Sequence, residues 1–155
     1  SVRTDSFVER YTSIVGKSGV ISVWGGINDY NNSTPLGDMS STDNSTFYGA
    51  LKTVISGLIK NNPNAKLFVM TPMKTIRFTG TFNPNSIGLT QIDYVKAIKE
   101  VADYYSVPVL DMYARGNISP FITEHINTFM IDGLHPTEAG YMRISTQIAA
   151  FIESL

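Results

Sequence analysis

His135 stands three residues after Asp132 in the segment Asp132-Gly133-Leu134-His135-Pro136. At that separation a carboxylate can accept a hydrogen bond from one imidazole nitrogen, fix the tautomer and leave the other nitrogen as a general base. Such a pair supplies two members of an acyl-transfer triad. An Asp and a His also cap and terminate helices, so the motif alone leaves both roles open. Asn28 follows a short apolar run through Gly25 and Gly26. Its amide is a neutral donor of the kind that stabilises an oxyanion, and Asn after Gly-Gly is equally an ordinary turn residue. Tyr30 follows the same loop and is a candidate for stacking on a sugar ring. Trp24 ends the apolar run and reads first as core. His125 has no spaced partner, and two histidines without a third ligand make a poor zinc set, so no metal is expected.

These residues need a scaffold, and the apolar patterning describes one. Three short runs read as buried strands: Gly19 to Trp24, Lys66 to Met70 and Val107 to Asp111. Helical patterns lie between and after them. One starts near the caps Ser45 and Thr46, places Phe47, Leu51, Val54, Ile55 and Leu58 on one face, and stops before Pro63. Another runs from about Thr90 to Tyr105. A third follows Pro136 to the C-terminus, with Ala139, Met142, Ile148 and Ile152 expected to face inward. A weaker helix is expected over Ser6 to Val15. Strands alternating with helices imply an α/β domain with a parallel sheet and helices on both faces, because a parallel crossover needs about a dozen residues. Function then falls at the carboxyl ends of the strands. Both the Gly25 to Tyr30 loop and the Asp132 to Pro136 loop belong there. The long polar stretches Asn31 to Asn44 and Arg77 to Ile87 are expected to shape the pocket.

Composition narrows the function classes. The chain has 155 residues, 43% of them apolar, with 12 basic and 13 acidic side chains and a net charge of -1, which suits one globular domain. No block of Lys or Arg provides a nucleic-acid footprint. The absence of cysteine removes disulfides, thiolate nucleophiles and zinc-thiolate sites. No apolar run approaches the ~20 residues of a membrane span. Charged residues are only 16%, with Ser, Thr and Asn in their place, which leans towards an extracellular, cell-surface or virion setting.

The two loops carry a resemblance. Val23-Trp24-Gly25-Gly26-Ile27-Asn28-Asp29 resembles the G-x-N-D block of the SGNH (GDSL-type) hydrolases, and Asp132-Gly133-Leu134-His135-Pro136 resembles their D-x-x-H-P block. The resemblance covers essentially residues 1–155 as a single domain. It implies the last three strands and closing helix of a three-layer, flavodoxin-like fold. It also implies cofactor-free hydrolysis of carboxylic esters on carbohydrates, lipids or small molecules. By position, His135 is the implied base, Asp132 its orienting carboxylate and Asn28 an oxyanion-hole donor. Gly26 belongs to the same substrate loop, and Asp29 is implied to be structural.

The family's G-D-S block, which supplies the nucleophilic serine, has no clear counterpart in the chain. Three expectations follow. In the first, an N-terminal strand-helix-strand of about 40 to 60 residues carries the serine and packs as a partner segment. In the second, Thr4-Asp5-Ser6 is a degenerate match, against which Ser6 reads as an N-cap for the following helix. In the third, the domain is a catalytically inactive binding or structural module of a surface or phage tail protein. An acetyl or other short-chain ester on a carbohydrate is the leading substrate expectation, because loops rich in Asn, Thr and Tyr suit hydroxyl-bearing ligands.

Overall fold

Side chains alternate between two faces along Val20–Trp24 (β1), Lys66–Met70 (β2) and Val109–Leu110 (β3). A computed structural model describes residues 6–155 and pairs these strands in parallel in the order β1-β2-β3. The register aligns Val23 with Val69 and Val69 with Val109 on one face, and Trp24 with Met70 and Met70 with Leu110 on the other. Each face therefore presents an apolar row that must be covered.

Phe47–Asn61 (α3) and Gln91–Tyr104 (α4) cover the first face. Val54, Ile55 and Leu58 of α3 and Tyr94, Ala97, Ile98, Val101 and Ala102 of α4 form one buried cluster with Val23 and Val69. The caps forecast from sequence set these helices. The Thr46 hydroxyl accepts from the Gly49 N–H. The Thr90 N–H donates to Asp93 at 2.8 Å. Buried Asn62 receives the end of α3 by donating to the carbonyls of Leu58 and Ile14.

Glu138–Glu153 (α7) covers the second face, packing Ile144, Ile148 and Phe151 against Phe68, Met70 and Leu110. The inward stripe differs from the expected one. Ile148 is on it, while Ala139, Met142 and Ile152 are exposed. The helix crosses closest at Gly140, where a Cβ would lie 2.2 Å from the Phe129 carbonyl oxygen. Gly140, Ile144, Ile148 and Phe151 therefore define the face. Apolarity alone hides that stripe, because its first member has no side chain.

β3 is shorter than the expected Val107 to Asp111. Pro108 has no N–H to give, and Asp111 is drawn into capping Met112–Arg115 (α5) by accepting from Ala114. The weak N-terminal pattern becomes one turn of helix, Phe7–Arg10 (α1), followed by a 3-10 turn at Tyr11–Ser13. Two further short helices are Ile27–Asn31 (α2), in a segment read as a loop, and Thr123–Phe129 (α6), around His125. No helix among the described residues is long and apolar enough to cross a membrane.

Candidate active site

β1 ends at Trp24, and the chain turns through Gly25 and Gly26 directly into α2. Gly26 has φ +101, and a Cβ there would also press on Ile98 at 3.1 Å and Phe47 at 3.2 Å. Only glycine fits both constraints. The turn leaves Asn28 exposed, with its side-chain amide unpaired among the described residues. Gly26 and Asn28 line a cavity of about 470 Å³. Its polar wall includes Asp29, Asn32, Thr34 and Asn44, and its apolar floor includes Phe47, Leu51, Val54 and Ile98. Asn32, Thr34 and Asn44 of the Asn31 to Asn44 stretch line this cavity, whereas no residue of Arg77 to Ile87, the other stretch expected to shape the pocket, does. Burial pushes the Asp29 carboxyl above the ordinary carboxylate range, against a hydrogen bond from Thr34 that lowers it.

Ser6 lines the same cavity. It occupies the N-cap position of α1 without a side-chain cap bond, and its buried Oγ has no partner among the described residues. The N-cap bond expected of Ser6 is therefore absent. Thr4 and Asp5 of the degenerate motif lie outside the described residues.

Tyr30 is not at the pocket rim. Its side chain is fully buried, edge-on to Tyr94, and its hydroxyl lies 2.6 Å from the Gly80 carbonyl and 2.7 Å from that of Asn83. α2 turns the ring into the first core, so sugar contact by Tyr30 is corrected to a structural tie between α2 and residues 80–83. Trp24 is half-buried against the second core and donates its indole N–H to the Thr71 carbonyl at 3.2 Å.

The second pair assembles at the start of α7. Asp132 Oδ1 accepts the backbone N–H of His135 at 2.8 Å and of Leu134 at 3.1 Å, and Oδ2 lies 2.8 Å from His135 Nδ1. Arg77 Nη1 lies 3.2 Å from the same nitrogen; with Nδ1–H donated to Asp132, Nε2 presents its lone pair. The α7 cap falls to Thr137, whose hydroxyl accepts from Gly140. The capping role left open for Asp132 and His135 is thus filled by another residue. His125 supports α6 by accepting the Ser119 N–H at 3.0 Å.

Gly26 and Asn28 meet on the cavity, and Asp132 and His135 meet in the dyad, which does not line that cavity. The segment after β2 connects them. It begins at Thr71, the acceptor of Trp24, and reaches the dyad loop at residues 75–77. Buried Thr75 donates through Oγ1 to the Gly133 carbonyl at 2.8 Å, and the Ile76 N–H bonds the same carbonyl. Arg77 pairs with Asp132 Oδ2.

The sequence model of the GDSL-like lipase/acylhydrolase family matches residues 3–143. The chain belongs to that family. One solved structure is 45% identical, with a TM-score of 0.93 over 99% of this chain and 72% of its own length. A protein from Lactobacillus plantarum is 32% identical, with a TM-score of 0.90 over 99% of this chain and 76% of that one. A possible lipase from Chitinophaga pinensis, 23% identical with a TM-score of 0.73 over 90% of this chain and 74% of that one, shares the fold. No curated protein matches significantly.

For this GDSL-like chain, sequence reasoning missed the support of the dyad. The Thr75 N–H donates to Thr81 Oγ1 at 2.6 Å, Thr81 Oγ1 lies 2.7 Å from Gln91 Oε1, and Gln91 Nε2 donates to the Met73 carbonyl. All three side chains are buried. A threonine in a polar stretch gives no sequence signal of burial, and Gln91 lies at the start of an otherwise amphipathic helix. Arg77 marks the start of the second long polar stretch, its only visible signal.

Proposed function

We propose that this domain hydrolyses carboxylic esters through an acyl-enzyme, with His135 as base, Asp132 as its orienting carboxylate and Asn28 as an oxyanion donor. The observation that carries this reading is the Asp132–His135 pair, with Oδ2 and Nδ1 2.8 Å apart, beside a second loop that presents an exposed Asn28. In the first step a serine Oγ attacks the ester carbonyl while its proton passes to His135 Nε2. The oxyanion is held by the Asn28 amide, and the proton then leaves on the departing alkoxide. In the second step His135 takes a proton from water, whose oxygen attacks the acyl-serine. The serine regains its proton and the acid is released. The chemistry needs neither metal nor cofactor.

We place the serine on a strand packed against the open edge of β1. Among the described residues that edge is unpaired, with Val20 44% exposed and Ser22 also exposed. The longer solved relatives are consistent with a further segment. The substrate is an acetyl or short-chain ester of a carbohydrate. Support comes from a cavity wall of Asn28, Asn32, Thr34 and Asn44 above an apolar floor, which suits hydroxyl groups next to a small acyl group.

The test is fluorophosphonate labelling of the purified full-length protein, with peptide mapping and His135→Ala as control. Label on a peptide preceding these residues, lost in the control, is the expected result. Label on Ser6, a residue of the cavity lining whose buried Oγ has no partner among the described residues, would move the nucleophile into this chain. A folded sample with no labelled serine would overturn the esterase reading and leave a binding module. Acetylated oligosaccharides are expected to be hydrolysed faster than long-chain acyl esters, measured by released acid.

A further inference from the structure

The stretch from Arg77 to Ile87 carries an aromatic ring that packs into neither core. Phe82 is 65% exposed and stacks on Phe121, itself 47% exposed, with ring centres 5.2 Å apart and planes inclined by 17°. Neither ring belongs to a buried cluster or lines the cavity. We propose that the Phe82–Phe121 pair is a stacking subsite for a sugar ring of the ester-bearing carbohydrate, on the dyad side of the active site. This inference rests on the reading of the substrate as a carbohydrate ester and gives that substrate a second point of attachment.

Phe82 is held from both sides. The Thr81 N–H donates to the Thr75 carbonyl at 2.8 Å, and the Thr81 hydroxyl accepts the Thr75 N–H. The Asn83 carbonyl accepts the hydroxyl of buried Tyr30 at 2.7 Å. Tyr30, the ring expected at the rim, thus anchors the chain beside a ring that is exposed. The Phe121 N–H donates to Ser119 Oγ at 3.3 Å, just before α6. The link to the dyad is short, because Thr75 Oγ1 donates to the Gly133 carbonyl, two positions before His135. A backbone fixed on both sides of an exposed ring is the preorganisation that a binding surface needs.

The chemistry selects a sugar. A pyranose has a face of C–H bonds and an edge of hydroxyls. The negative face of an aromatic ring attracts the C–H groups, and their contact removes apolar surface from water. The hydroxyl edge stays wet among exposed Asn83, Thr123 and Glu124, the polar neighbours of the two rings in sequence. A lipid surface fits less well. Residues 78–95 and 116–142 contain no Lys or Arg to attract anionic head groups, and the cation just before them, Arg77, is paired with Asp132. Exposed Phe78 lies under the Arg77 guanidinium, 4.6 Å from its ring centre, and exposed Ile122 is aliphatic, so neither adds a second flat face.

The test is binding and turnover by the full-length protein on two probes, xylohexaose and N-acetylchitohexaose, each with and without O-acetyl groups. Calorimetric titration with the unacetylated hexamers should show binding of at least one. Phe82→Ala and Phe121→Ala should each weaken it about tenfold, within the range that loss of one stacking ring produces for nucleic-acid bases. Phe82→Tyr should bind like the parent. Phe82→Leu keeps apolar volume without a flat ring and should bind as weakly as Phe82→Ala, which it replaces if circular dichroism shows that the alanine variant folds poorly. In turnover, the ratio of kcat/KM for the O-acetylated hexamer to that for ethyl acetate should fall about tenfold in the same variants. Binding of neither hexamer, equal losses on both substrates in a folded variant, or full binding by Phe82→Leu would overturn the proposal. A larger loss on a tributyrin emulsion than on the hexamer would also overturn it and make the pair a lipid contact. A dimer that Phe82→Ala dissociates without weakening sugar binding would make it a contact between two copies instead. Failure of the esterase reading is separable, because calorimetry needs no ester and reads sugar binding even where labelling and turnover are absent.

Discussion

At the scale of single residues, the site depends on what each polar atom still has free. Asp132 spends both oxygens on local donors, so Asp132→Asn alters charge and acceptor capacity at one oxygen while the other keeps its backbone bonds. An amide beside Nδ1 can donate to it and trap the wrong tautomer. Asp132→Asn is therefore expected to lower kcat by about 10⁴-fold in a protein that still folds, and His135→Ala by a similar factor. Circular dichroism beside acetate-ester turnover checks both halves. A comparable loss of helix signal would point to a structural dyad instead. Asn28→Ala removes an exposed amide that supports no other contact among the described residues. Its expected signature is a loss of about 10²- to 10³-fold in kcat with thermal stability unchanged. Retained turnover would remove Asn28 from the oxyanion hole.

At the scale of elements, the segment after β2 links the two halves of the site, because it bonds both the end of β1 and the dyad loop. Thr75→Val would delete the hydroxyl that links Arg77 to Gly133 while filling nearly the same volume. The buried Gly133 carbonyl and the part-buried Arg77 N–H lose their bond, for an expected cost of about 2 kcal/mol in urea unfolding. kcat should fall even where the protein is fully folded, since the dyad loop loses its spacer; a pure stability loss would make Thr75 only a core residue. This segment also marks where the sequence stops being legible. β2, α3 and α4 follow from strict apolar periodicity and cap residues, and the dyad follows from its spacing. The α7 face was obscured because Gly140 marks the closest approach without an apolar side chain. Tyr30 looked like a rim residue because nothing local reveals that α2 turns it inward. Thr75, Thr81 and Gln91 are read as polar surface until the tertiary structure shows their partners. Side chains that satisfy one another across 10 or more positions leave no periodic trace.

At the scale of the whole molecule, two carboxylates near the carboxyl edge of the sheet give stability opposite dependences on pH. Asp29, in α2, is pushed up by burial against the lowering bond from Thr34. Asp111, after β3, is also opposed by burial, yet Lys99, the Ala114 N–H and Thr71 hold it below the ordinary value. A raised native value means stabilisation that is present below the unfolded pKa of about 3.9 and is lost as pH rises through the native value. Ionised Asp29 therefore weakens the fold at neutral pH. A lowered native value means stabilisation present above about 3.9 and lost as pH falls through the native value. Ionised Asp111 therefore strengthens the fold at neutral pH. Asp29→Asn should raise the urea midpoint at pH 7, and Asp111→Asn should lower it. The Asp29 difference should shrink towards pH 3, where its carboxyl approaches the neutral state that the amide imitates, while the Asp111 difference should shrink only as pH falls through its lowered native value. Parallel urea titrations at the two pH values decide the matter. A lowered midpoint for both variants at pH 7 would mean that Asp29 is held by its bond to Thr34 more than it is penalised by burial. In that case the cavity wall around Asn28 would be stabilised by a charge, and the pocket would select against anionic esters.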